Sequence, residues 1–193
     1  MALDHLGLVV DAMVRDEPMR HYAPFTSLRT VLLASARARW MLKPDESRER
    51  QIRCLQIEFV NIDEQRKAFQ TVARTAATEQ LEEMSKDILA GFDHQLAPLQ
   101  SRADDLGTEL RKPPDTLSML RELVAAKAAD GFVALHLWRI GSSTAHGYYW
   151  SDTQRPDPHL FDDSTFDMAL HAAALFVRQA MATYEHRAGL GRV

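Results

Sequence analysis

Apolar residues recur at intervals of three and four along most of this chain, the spacing of one face of an α-helix. Leu3, Leu6, Val9, Val10 and Met13 predict a helix over 2–15, broken at 16–18. Leu28, Val31, Leu32 and Trp40 predict a second over 25–42, with Thr26 or Ser27 as its N-cap and Lys43-Pro44-Asp45 as its end. A long charged helix starts at Asp45 or Ser47 and runs to about Thr75, with Ile52, Leu55, Ile57, Phe59, Val60, Ile62 and Phe69 as apolar members. Leu81, Met84, Ile88, Phe92 and Leu96 mark a helix over 78–96, which Pro98 kinks or ends. Residues 102–116 are charged, contain Gly107 and close on Pro113-Pro114, so they read as a long connection. Thr116 or Ser118 caps a short helix to about Ala129, and Asp130-Gly131 punctuates the chain before the next helix. Residues 151–164 read as a loop, after which Ser164 caps a last, alanine-rich helix over 165–187. No run alternates with a period of two long enough for a strand, and there is no internal repeat. The pattern predicts an all-α fold, six or seven helices in one bundle spanning 1–193.

Composition narrows this picture. A chain of 193 residues is long enough to bury a real core and short enough to be one domain. With 46% apolar residues, 8 Gly and 8 Pro it is neither collagenous nor low-complexity. The net charge of −4 argues against coating duplex DNA or an anionic membrane through a bulk positive field, while a local basic cleft survives such an average. A single cysteine, Cys54, makes no intrachain disulfide, and the N-terminus lacks the pattern of a secretory signal, so a reducing cytoplasm is expected.

Charge is spread widely except in one place. At average composition a window of 21 residues holds about five charged side chains, yet residues 131–151, GFVALHLWRIGSSTAHGYYWS, hold Arg139 alone. Three glycines, two histidines, two serines before Ser151 and a threonine make this window too polar for a membrane span. It is expected instead as a helix buried on most sides. On such a helix seven residues complete almost two turns, so Arg139 and His146 share one face about 10 Å apart, with Ser142 and Ser143 between them. The remaining members, Phe132, Val133, Leu135, Leu137, Trp138, Ile140, Ala145, Tyr148, Tyr149 and Trp150, are expected in the core.

The stripe of Arg139, Ser142, Ser143 and His146 has two readings. A guanidinium is permanently charged and matches phosphate oxygens two at a time, and an imidazole gives and takes protons near neutral pH. Cleavage of an RNA phosphodiester needs a base for the 2′-hydroxyl, an acid for the leaving oxygen and a cation for the charge that develops. In the other reading the serines bond back to carbonyls one turn earlier and the arginine satisfies a neighbour's carboxylate.

Arg139, six residues, then His146 on a late helix of an all-α bundle resembles the Arg-x(4–6)-His motif of the HEPN (higher eukaryotes and prokaryotes nucleotide-binding) family. The string W-R-I-G-S-S-T-A-H-G is similar to the corresponding helix of actinobacterial HEPN-like proteins of unknown function. The early patch HYAPFTSLRTVLLASARARWML, followed by PDESRERQIR, resembles their early helix. The resemblance implies a homodimer whose motif helices face each other across one composite cleft. It also implies metal-independent endoribonuclease activity of toxin or defence type, with a cognate antitoxin or partner protein. His146 would be general base or acid, Arg139 would hold the scissile phosphate, and Ser142 or Ser143 would orient a phosphate oxygen or the histidine. No cofactor or metal is implied. Inactive relatives imply the alternative, a non-catalytic interaction or nucleotide-binding module that dimerises through the same helix. Two positions depart from the family pattern. The residue after the motif arginine, often polar in active members, is Ile140, and no Glu follows Arg29, which is therefore expected to face another acid or solvent.

Other constellations carry less. Asp163, Asp167 and His171 step by four, with His159 and Asp162 nearby, but a di-iron bundle needs paired Glu-x-x-His motifs and none occurs. Acids in a first helical turn are favoured by the helix dipole in any case. Arg29, Arg37 and Arg39, or Arg48, Arg50 and Arg53, could line an RNA path, although Glu46, Glu49 and Glu58 interleave with the second set as in a solvated helix with i,i+4 pairs. Tyr148, Tyr149 and Trp150 either stack on bases or fill the core. Cys54 has no partners for nucleophilic work, and no glycine-rich phosphate loop is present.

Overall fold

A computed structural model describes residues 1–15, 18–74, 78–124, 129–155 and 157–190. Among these the chain forms seven α-helices and no strand: α1 (Ala2–Val14), α2 (Ala23–Leu42), α3 (Ser47–Ala73), α4 (Glu79–Asp105), α5 (Thr116–Leu123), α6 (Ala129–Ala145) and α7 (Asp163–Ala188). One turn of 3-10 helix, Asp152–Gln154, lies between α6 and α7. The fold is an all-α bundle. No helix among the described residues is long and apolar enough to cross a membrane.

The helices group into two compact units, residues 1–43 with 115–193, and residues 44–114. In the first, α2 packs against α1, α5, α6 and α7. It can do so because its buried positions, Leu28, Val31, Leu32, Ala36 and Trp40, are joined by small Ser27 and Ser35, so that apolar surface wraps most of its circumference. Opposite it α7 offers Ala169, Ala172, Ala173 and Ala180 around Phe176 and Val177, a shallow face that lets two helices approach closely. Each large side chain buried here contributes roughly 1.5–3 kcal/mol of transfer free energy. Trp40 Nε1 donates to Glu122 Oε2 of α5 at 2.9 Å, which satisfies the indole inside the packing.

The second unit is a helical hairpin of α3 and α4, 27 residues each. Ile52, Ile62, Phe92 and Ala103 are its buried apolar residues, and Phe69 and Phe92 meet with ring centroids 5.6 Å apart. Asp63 is buried and ringed by Lys112 at 2.8 Å, Lys67 at 2.9 Å and Arg66 at 3.0 Å. Hydrogen bonds from Lys112 and Lys67 hold its carboxyl well below the usual carboxylate range.

Several boundaries differ from those the sequence predicts. α4 runs through Pro98 to Asp105, so the connection expected over 102–116 shortens to 106–115. The cap of α5 is Asp115, whose Oδ1 accepts from Ser118 N at 2.9 Å, and not Thr116 or Ser118. α5 itself ends at Leu123. Asp130 and Gly131 lie inside α6, which begins at Ala129. α2 begins at Ala23 with Pro24 in its first turn, ahead of Thr26 and Ser27. At α7 the capping acceptor is Asp162, whose Oδ1 takes Thr165 N–H and the Ser164 hydroxyl, both at 3.0 Å. Two expected helix ends, at Asp16 and at Thr75, lie outside the described residues.

Candidate functional site

The four stripe residues come together. Arg139, Ser142, Ser143 and His146 line one cleft of about 230 Å³, joined by Trp138, Tyr148 and Trp150. Arg139 and His146 are exposed, and Arg139 has no ion pair among the described residues; its guanidinium lies over the Trp138 ring, 5.0 Å from the centroid. None of the seven lining residues is a carboxylate.

α6 ends at Ala145, which places His146 just past the helix. Its backbone N–H still donates to Ser142 O at 3.1 Å. Gly147 then takes φ +72°, a left-handed conformation that costs glycine nothing, and Tyr148 N donates back to Ser143 O at 2.9 Å. This reversal stands Tyr148 beside His146, ring centroids 6.2 Å apart. The tail of the charge-poor window is therefore not core. Tyr148 and Tyr149 are 64% and 77% exposed, and Phe132 at the other end of α6 is 72% exposed, against the expectation that all three are buried. Trp138 and Trp150 wall the cleft and are likewise outside the core.

The two serines differ in use. Ser143 is 2% exposed, and its Oγ donates to Tyr148 O at 2.7 Å. Its hydrogen is spent on closing the end of the helix. Ser142 accepts a hydrogen bond from Arg29 Nε of α2 at 2.9 Å. Arg29 therefore faces neither an acid nor open solvent as the sequence suggests. Burial, with Arg37 nearby, pushes its pKa down. Gly141 explains how α2 comes so close: a Cβ there would stand 2.5 Å from Arg29 Cβ and 2.8 Å from Phe25 O. Thr144 Oγ1 and Thr26 Oγ1 pair across the same contact at 2.9 Å. Ile140 is buried on the side away from the cleft.

The other candidate groups are occupied elsewhere. Arg53 pairs with Glu49 at 3.1 Å, Arg48 donates to Leu106 O, and Arg50 donates to Pro44 O at 2.9 Å. Arg39 donates to Gln179 Oε1 at 2.6 Å and Arg37 to Thr116 Oγ1 at 3.3 Å. Among the described residues no group of three His, Cys, Asp or Glu side chains could hold a metal ion. Cys54 is exposed, and partial desolvation raises its thiol pKa.

Sequence reasoning missed Arg29 and Trp138 as members of this neighbourhood. Gly141 was the available signal, since a glycine inside a helix marks the close approach of another backbone, but the spacing of one helix does not say which residue of which other helix arrives there. No protein-family model, no curated protein and no solved structure matches this chain.

Proposed function

We propose that this chain is a HEPN-like, metal-independent endoribonuclease of toxin or defence type, cytoplasmic, working as a homodimer at the cleft of Arg139 and His146. One observation carries the reading. A permanently charged guanidinium and an imidazole stand exposed in one cleft, with hydroxyls between them and no carboxylate in the lining to neutralise the arginine. Such a cleft attracts an anion, and a phosphodiester brings the chemistry that both side chains serve. His146 takes the proton of the ribose 2′-hydroxyl, the oxygen attacks the adjacent phosphorus, and the 5′-oxygen leaves with a proton from a general acid. The second histidine of a dimer cleft supplies that acid. Arg139 stabilises the charge on the non-bridging oxygens. The products are a 2′,3′-cyclic phosphate and a 5′-hydroxyl, with no redox change and no metal in the balance. The exposed Phe132 and half-buried Trp138 of α6, with exposed Tyr149 just past its end, supply apolar surface for a second copy.

Incubating RNA in EDTA with the wild type, His146→Ala and Arg139→Ala tests this. Cleavage by the wild type should fall at least a hundredfold in either variant, in line with the loss of an acid–base group. Equal cleavage by all three, or none by any, removes the catalytic reading. The exposed Phe132 favours one alternative, a non-catalytic module that dimerises through α6. In that case Arg139→Ala weakens the dimer in analytical ultracentrifugation while RNA turnover stays at background.

A further inference from the structure

Four hydroxyls on these helices bond as they would in an isolated helix. Thr30, Thr71, Ser85 and Thr183 each donate to the carbonyl four residues earlier, at 2.7–3.1 Å. Ser142 does not. Among the described residues its Oγ accepts a hydrogen bond from Arg29 Nε and donates to no partner. An oxygen that accepts from a guanidinium is polarised, and its O–H becomes a better donor. Arg29 itself is half-buried, and no carboxylate among the described residues pairs with it. Two uncompensated guanidiniums, Arg29 and Arg139, therefore flank one serine whose hydrogen is unspent at the wall of the cleft.

We propose that Arg29 is a positioning residue of this cleft. By donating to Ser142 Oγ it frees and directs the serine hydroxyl, which donates to a non-bridging oxygen of a bound phosphodiester beside Arg139. The inference deepens the phosphodiester reading of the site and rests on it, but it needs only that the cleft binds a phosphodiester, not that it cleaves one. Ser143 cannot share the role, because its hydrogen is bonded to Tyr148 O.

A double-mutant cycle tests it, with a thymidine pentamer as the probe, which carries phosphodiesters but no 2′-hydroxyl to be attacked. Binding is followed through the fluorescence of Trp138 and Trp150. Arg29→Met keeps the aliphatic stem that packs on Gly141 and removes the donor; Ser142→Ala removes the hydroxyl. Each should weaken binding about tenfold, the worth of one hydrogen bond to a charged group. The double variant should be no weaker than about twofold below either single. A merely structural Arg29 would cost as much in the Ser142→Ala background as in the wild type, about a hundredfold in all, and that additive result overturns the proposal. So does unchanged binding in Arg29→Met, or a wild type that fails to bind the pentamer. Pentamer binding with the expected cycle, beside RNA left uncleaved in EDTA, sinks the ribonuclease reading alone and leaves Arg29 in its role.

Discussion

Gly141 has a side-chain-free surface because α2 leaves no room for anything else. In an open helix, alanine at this position would gain about 1 kcal/mol over glycine. Here a methyl group would meet Phe25 O at 2.8 Å and Arg29 Cβ at 2.5 Å, atoms of the backbone or next to it that cannot swing aside. Overpacking of this kind costs roughly 1–3 kcal/mol, so it should win. Gly141→Ala is expected to lower the urea unfolding free energy by up to about 2 kcal/mol and to loosen the Arg29–Ser142 bond with it; a more stable variant contradicts the contact. Asp63 poses the opposite problem, a carboxylate that three cations hold ionised. Its pKa is depressed on folding, so its contribution is present above the ordinary carboxylate pKa and is lost as the pH falls towards its own. Asp63→Asn should therefore destabilise the protein at pH 7 by about 1 kcal/mol, and the gap from wild type should close as the pH is lowered below 4. A gap that does not vary with pH would mean that the ion cluster contributes nothing.

α4 shows where periodicity and local chemistry part. Leu81 to Leu96 announce the helix, but Pro98 argues that it stops, since proline offers no N–H to His94 O and crowds the preceding turn. The helix continues because Ala103 is buried beyond the proline as Phe92 is before it, and Pro98 and His94 face solvent, where water can take the carbonyl. Proline inside a helix costs about 3 kcal/mol; Pro98→Ala should recover 1–3 kcal/mol of that, read as a higher urea midpoint, and a lower midpoint would mean that the proline turns the helix in a way the hairpin needs. The same balance explains how much was legible beforehand. The spacing of apolar residues announced α1 to α4, although α1 buries Val9 alone and leaves Leu3, Val10 and Met13 exposed. Boundaries did not follow from it, because caps are chosen by competition: Asp115 and Asp162 took roles for which Thr116, Ser118 and Ser164 were equally good candidates by type. At the site, residues on one helix were legible through rotation alone, Arg139 to His146. Exposure was not, because Gly147 turns the chain and lifts Tyr148 and Tyr149 out of the core, and a Gly after a His gives no hint of which way it turns. Arg29 was out of reach because it arrives from 113 residues away.

Along the sequence, one unit is inserted into the other. Residues 44–114 leave between α2 and α5 and return, while the cleft, Arg29 included, belongs wholly to residues 1–43 and 115–193. The two cut ends of that unit are held together by its own bonds. Lys43 Nζ donates to Glu122 O at 3.0 Å, Arg37 to Thr116 Oγ1, and Trp40 to Glu122, all across the α2–α5 contact. Its core is its own as well, from Val9 and Leu28 through Leu120 and Leu137 to Phe176. A linker of about six Gly and Ser residues reaches up to about 20 Å and adds little closure entropy, so it should join Lys43 to Asp115 without pulling α2 from α5. The shortened chain is expected to melt in one cooperative transition and to bind the thymidine pentamer with an affinity within about threefold of the full chain, about 0.6 kcal/mol. The isolated hairpin 44–114 should fare worse. Its described core is a handful of side chains, Ile52, Ile62, Phe92 and Ala103, with Asp63 and Gln56 buried among them, too little apolar burial for a cooperative transition. Calorimetry on both pieces decides the matter: if the hairpin alone melts cooperatively and the shortened chain does not, the core that supports the cleft has been assigned to the wrong unit.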